Sequence, residues 1–215
     1  MRPLLLLSTC FISFSCENSN GKLEQNLANA SRDTMEIDIP KYPDGSVSNV
    51  YKYVKQMEGK LHIEPIDSGF TPFQTRIWFY YGLVDTNQLF LVKRASDKWV
   101  VEWYTISFHA GPSKLDTIIT VIKNMKPKHG WVSFLNSLFD LKIGDLPDMD
   151  KLPDITNYVV SEPTGVNVEF AAINRYRLYS YFALNGFEDK WWQVKYMSDI
   201  LRLIEDEFGI KRLQT

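Results

Sequence analysis

Lys98-Trp99-Val100-Val101-Glu102-Trp103-Tyr104-Thr105-Ile106-Ser107-Phe108 is the stretch on which the fold turns. In an extended chain successive side chains alternate between faces, so Trp99, Val101 and Trp103 point one way and Val100, Tyr104, Ile106 and Phe108 the other. Both faces are largely apolar. A strand that is greasy on both sides belongs near the centre of a sheet.

Working outward, Ser96-Asp97 can turn the chain back from Gln88–Arg94, and Asp85-Thr86-Asn87 links that run to Arg76–Tyr81. The span from Leu61 to Phe108 therefore reads as a strand meander. Leu115–Ile122, rich in β-branched residues, supplies a further strand. Val166–Ile173 and Tyr176–Phe182 form a hairpin around Asn174-Arg175, and Met35, Ile37 and Ile39 alternate with acids in a short strand that stops at Pro40.

Three segments have helical spacing instead. Val47, Val50, Tyr51, Val54 and Met57 follow a serine-rich N-cap, with Gly59 suited to the helix end. Trp131, Phe134, Leu135, Leu138 and Phe139 recur until Gly144. Val194, Met197, Leu201, Ile204 and Phe208 mark a C-terminal helix that Gly209 terminates. Strands outnumber helices and lack a βαβ rhythm, so the expected class is α+β: a mostly antiparallel sheet with helices packed on one face.

The 215 residues, 45% hydrophobic and 14% aromatic, suffice for one sizeable core. A formal net charge of -2 gives no electrostatic footprint for nucleic acid. Two cysteines occur, Cys10 and Cys16, and their position is the most informative feature of composition. A chain that starts at Cys16 holds one thiol, which excludes an internal disulfide, a thiolate metal site and a cysteine nucleophile from the folded part.

Residues 1–15 combine Arg2, an apolar run from Leu4 to Phe14 and the small Ser15 before Cys16, the layout of a secretory signal. The run is about half of the ~20 residues that a membrane-spanning helix needs. Ser13 and Ser15 with cysteine next resemble a bacterial lipobox, which implies a thioether-linked diacylglycerol on Cys16, with palmitate-type chains. Phe14 departs from the commonest lipobox pattern. Cleavage at an ordinary signal-peptidase site, or lipidation at Cys10 behind Leu7-Ser8-Thr9, are the alternatives. Two or three acyl chains, at on the order of 0.8 kcal/mol per buried methylene, anchor a protein essentially permanently. Residues 16–34 are rich in Asn, Gln, Ser and Ala and read as a flexible tether, with a reach on the order of 20–25 Å, before a single domain at 35–215.

The C-terminal half resembles a family of uncharacterised lipoproteins common in Bacteroidetes-type bacteria. The resemblance is carried by Gly130-Trp131, Leu146-Pro147-Asp148, Val168-Glu169-Phe170, Tyr176-Arg177-Leu178-Tyr179-Ser180-Tyr181 and the helix Ile200–Ile210. Pro163-Thr164-Gly165-Val166-Asn167 stands where an Asp-Gly turn is expected. The lipid anchor implies a cell-envelope address, with the outer membrane the expected site, and the family resemblance carries no assigned chemistry.

Candidate chemistry is sparse. His62 and Glu64 would share a face in a strand but lack a third ligand at local spacing, and His109 and His129 adjoin small residues in turns. Asp145, Asp148, Asp150 and Asp154 fail as a calcium loop, because Pro153 and Val159 fall where glycine and a bidentate Glu are needed; they read as a solvated loop. Elbow, phosphate-loop and zincin motifs are missing, and no metal or cofactor is implied. Aromatics including Trp78, Tyr80, Trp99, Trp103, Trp191 and Trp192 fill the core or furnish a platform for a glycan; of the adjacent Trp191 and Trp192, at most one sits centrally on a buried helical stripe.

The site expected on the terminal hairpin joins Glu169, which interrupts an apolar strand, to Arg177, Tyr179 and Tyr181 on one side of the facing strand. It reads either as a buried Glu–Arg or Glu–Tyr contact that fixes the hairpin or as a polar-aromatic binding patch. The expected function is a non-catalytic envelope module that binds an envelope protein or glycan; the alternative is a lipid-anchored hydrolase acting on glycan or peptide.

Overall fold

Lys98–Phe108 lies within β4 (Lys98–Ala110), flanked by a strand on each side. The computed structural model describes residues 35–70, 72–82, 84–110, 115–158 and 164–213. The leader and tether expected over 1–34, with Cys10 and Cys16, lie outside the described residues.

β4 belongs to a seven-stranded sheet that also contains β1 (Glu36–Asp38), β2 (Phe73–Tyr81), β3 (Thr86–Ala95), β5 (Leu115–Lys123), β6 (Thr164–Ala172) and β7 (Arg175–Phe182), in the order β1-β7-β6-β2-β3-β4-β5. Every neighbouring pair is antiparallel except β1 with β7. This is the α+β class and the mostly antiparallel sheet expected. β2, not β4, occupies the middle, because the late hairpin β6–β7 returns to pair with β2 along Phe73–Tyr81.

The meander starts at Phe73. Leu61 instead ends α1 (Asn49–Leu61), whose N-cap Ser48 accepts a hydrogen bond from the Tyr51 amide at 3.4 Å. Gly59 falls inside this helix, and His62 closes it in the left-handed conformation at φ 53°, so His62 and Glu64 share no strand. α2 (Trp131–Asp140) and α3 (Trp192–Phe208) follow the expected stripes, and Gly209 caps α3 at φ 62°.

The alternation of each strand divides the core in two. Phe73, Ile77 and Phe79 of β2, Phe90 and Val92 of β3, and Val166, Val168 and Phe170 of β6 pack with Phe134 and Leu138 of α2 and Met197, Leu201 and Ile204 of α3. On the other face Trp78, Leu89, Leu91, Tyr104 and Leu178 pack with Val54, Met57 and Leu61 of α1. Thus α2 and α3 share one face while α1 covers the opposite one, so helices lie on both faces of the sheet and not on the single face expected, because both sides of the interior strands are apolar and each needs a cover. Each fully buried large side chain here contributes on the order of 1.5–3 kcal/mol.

The acidic segment 145–154 contains a single 3-10 turn, Met149–Lys151. Asp148 is buried, not solvated: it accepts from the Asp150 amide at 3.0 Å and the Ser180 amide at 3.1 Å, tying this loop to β7.

Candidate functional site

Glu169 and the three residues expected beside it lie on opposite faces of the sheet. Glu169 opposes Leu178 in the β6–β7 register, so its side chain shares the α1 face with Tyr176 and Leu178. Arg177, Tyr179 and Tyr181 take the alternate positions and face α2 and α3. A patch combining all four does not form, because one odd-numbered step along β7 changes the face.

Glu169 is fully buried, and its acceptors are satisfied locally. Oε1 accepts from the Tyr176 hydroxyl at 2.8 Å and Oε2 from the Trp78 indole N–H at 2.8 Å. Arg76 Nη1 lies 3.7 Å away and also bonds Glu58 Oε1 of α1 at 2.5 Å. Its Nη2 donates to the Glu64 carbonyl. Lys55, one helical turn before Glu58, reaches Glu58 at 2.9 Å, Asp67 at 3.2 Å and Glu169 at 3.9 Å. Asp67 accepts from the Tyr51 hydroxyl at 2.9 Å.

These residues form a charged cluster between α1 and the sheet, three acids against two cations, with Glu58, Arg76 and Glu169 buried and Lys55 and Asp67 at its partly exposed end. Burial, followed by the charge of Glu169, pushes the Glu58 carboxyl up to about 7 despite Lys55 and Arg76. The same burial and the Glu169 charge raise the Tyr176 phenol far above its ordinary value. Glu58 and Arg76, with Glu169, are almost inaccessible to solvent, so a substrate meets none of them directly. The arrangement clamps α1 to the sheet. Its sequence signal was Arg76 in an interior strand: a cation there must find buried acids, and Glu58 and Glu169 are those acids.

The other face has a smaller device. Arg177 holds Asp38 of β1 at 3.0 Å and donates to the Gly144 carbonyl at 2.8 Å, and Tyr179 donates to the Ile143 carbonyl at 2.7 Å. Gly144 lies so close to the Phe170 ring that an added Cβ would meet it at 3.1 Å. Tyr181 packs edge-on against Tyr179 at 6.0 Å. These side chains fasten the post-α2 loop and the edge strand β1.

His129 precedes α2, and its Nδ1 lies 2.9 Å from Glu207 of α3; His109 falls in β4, not in a turn. Among the described residues, no group of three or more His, Cys, Asp or Glu is placed to hold a metal ion.

The open feature is elsewhere. A cavity of about 1070 Å³ lies where the end of β2 and the start of β6 meet the turn Leu184–Gly186 and the chain leaving α3. Its deeper wall is apolar, with Phe79, Val166, Leu201 and Ile210, and its rim carries the exposed Tyr80, Asn185, Asp206 and Lys211. The Leu213 amide donates to the Tyr81 hydroxyl at 3.2 Å, which in turn donates to Gln88, fastening the segment after α3 to β2 and β3. Arg212 grips Glu205 bidentately at 2.6 and 3.0 Å. Burial raises the Glu205 carboxyl, but the Arg212 hydrogen bonds and charge outweigh it and hold the group below its ordinary value. Glu205 is therefore an ionised anchor rather than a proton donor at neutral pH, and burial keeps the Tyr81 phenol neutral by pushing it up to about 12.

An apolar floor with a polar, mixed-charge rim suits binding. Of the aromatics singled out, Tyr80 borders this rim at 40% exposure, with its ring edge-on to Tyr53 of α1 at 6.3 Å. Trp191 is buried and Trp192 half exposed, with Lys142 Nζ 5.0 Å from its ring; Trp78, Trp99 and Trp103 pack into the two cores. The cavity was not legible in sequence, because its walls come from four separated segments. No family model matches the chain, and no curated protein or solved structure matches it.

Proposed function

We propose that this chain is a cell-envelope lipoprotein, anchored through a lipid on Cys16, whose domain is a non-catalytic module that binds an envelope protein or glycan in the cavity at the end of α3. The single observation that carries the binding reading is the contrast between that open cavity and the sealed acids. Glu58 and Glu169 converge as a hydrolase would need, but beneath α1 and out of reach. The anchor rests on Ser15-Cys16 behind a short apolar run. No helix among the described residues is long and apolar enough to cross a membrane.

The test is a pull-down of the anchored protein from its native envelope, wild type against Asn185→Trp and Lys211→Glu. Both positions are exposed on the rim, so the fold tolerates them; the bound component is lost from both variants. Retention of the same component by both would overturn the reading. For the anchor, metabolic labelling with a fatty-acid analogue tags the wild type and not Cys16→Ala. Labelling that disappears in Cys10→Ala instead would move the lipid to Cys10.

A further inference from the structure

The two edges of the sheet are unlike. β1 is three residues long, carries Glu36 and Asp38 and runs parallel to β7, which suits a protected edge. β5 is nine residues long and pairs on one side with β4; among the described residues no strand lies beyond it. Ile118 and Ile122 project on the α2/α3 face at 56% and 52% exposure, and Ile119 on the α1 face at 38%. A long edge with unpaired backbone groups and exposed isoleucines is a template for another strand.

We propose that β5 pairs antiparallel with β5 of a second copy of this chain, about a two-fold axis through Thr120, joining two sheets into one. The side chains select this occupant and this register. Centred on Thr120, Ile118 stands opposite the partner's Ile122 on one face and Ile119 opposite the partner's Val121 on the other. Thr120 meets its own copy, a favourable cross-strand pair. Lys123, already beside Glu102 at 3.8 Å, falls opposite the partner's Thr117, so no like charges meet. Centring on Ile119 would instead set Ile118 against Thr120 and Ile122 against Asp116. The symmetric pairing is isologous and closes at two copies.

Thr120→Cys in the full chain tests it, by copper–phenanthroline oxidation in the envelope and non-reducing electrophoresis, with the wild type as the background for Cys10 and Cys16. Directly opposed positions approach disulfide distance, so Thr120→Cys yields a band of twice the mass. Ile119→Cys yields several-fold less, and Ile37→Cys on the opposite edge stays at background. Adding Ile118→Lys and Ile122→Lys, both exposed and checked for an unchanged melting curve, abolishes the Thr120→Cys band. No dimer from Thr120→Cys, a dimer that survives the two lysines, or Ile119→Cys linking faster would each overturn the proposal.

Discussion

Beneath α1 and at the end of α3 the protein uses the same residue types for different ends. Both regions pair an arginine with glutamate: Arg76 with Glu58 and Glu169 in the first, Arg212 with Glu205 in the second. Under α1 the pair is shut away from water, and Glu58, Glu169 and Arg76 find their charged and hydrogen-bonding partners within the protein. At the cavity the pair is partly exposed, and the surrounding tyrosine, asparagine and lysine still face solvent. A buried ionic group is costly to leave unpaired, so the first region is tuned for integrity. The second is walled by core residues but leaves the polar side chains of its rim in water, free to meet a ligand.

That contrast can be broken most forcefully at Arg76. Arg76→Met leaves Glu58 and Glu169 facing each other without their shared guanidinium, and we expect a loss of about 3–5 kcal/mol in chemical denaturation. Adding Glu58→Gln and Glu169→Gln to that variant should recover much of the loss. A loss within about 0.5 kcal/mol for Arg76→Met alone would mean that the cluster is not a clamp.

Glu169→Gln keeps the shape and removes one charge. It should cost about 1–3 kcal/mol while leaving capture of the envelope component intact. Unchanged melting with lost capture would transfer the binding role to the α1 face.

The pH dependence sharpens the same point. Glu58 has a folded pKa of about 7, above its ordinary value of 4.5, so over that window the folded protein binds more protons than the unfolded chain. Stability is therefore highest on the acid side of this group's titration and falls as pH rises from about 5 through 7. Melting curves of wild type and Glu58→Gln across this range should differ in slope, with the variant flatter. Parallel curves would remove Glu58 as the titrating group. The smallest effect belongs to the cavity: Asn185→Trp should move stability by no more than about 0.5 kcal/mol.

The elements were legible where the chain's period is regular. β2, β3 and β4 extend the expected runs by a few residues, and α3 ends at the expected Gly209. What the period does not encode is which strand lies beside which. β6 returns to β2 across some ninety residues, as the Thr75 hydroxyl bonded to the Glu169 carbonyl at 2.9 Å illustrates. That pairing decides the partners of Glu169. Local periodicity points to the adjacent strand, where a Glu–Tyr contact does occur, with Tyr176 one position short of Arg177. Arg76 and Trp78 come from β2, and Glu58 from a helix on the far side of the meander. The cavity depends still more on such long-range placement, since Tyr80, Thr164, Asn185 and Lys211 share no local pattern.

On the proposed reading the target is met at the cavity and not at the α1 face. Site-specific photo-cross-linking in the native envelope tests it directly, with a benzophenone side chain at Asn185 or Lys211 on the rim and at Lys52 or Gln56 on the exposed side of α1. Adducts of one shared mass from Asn185 and Lys211, with none from Lys52 and Gln56, are the expected result. Adducts from the α1 positions alone would contradict it.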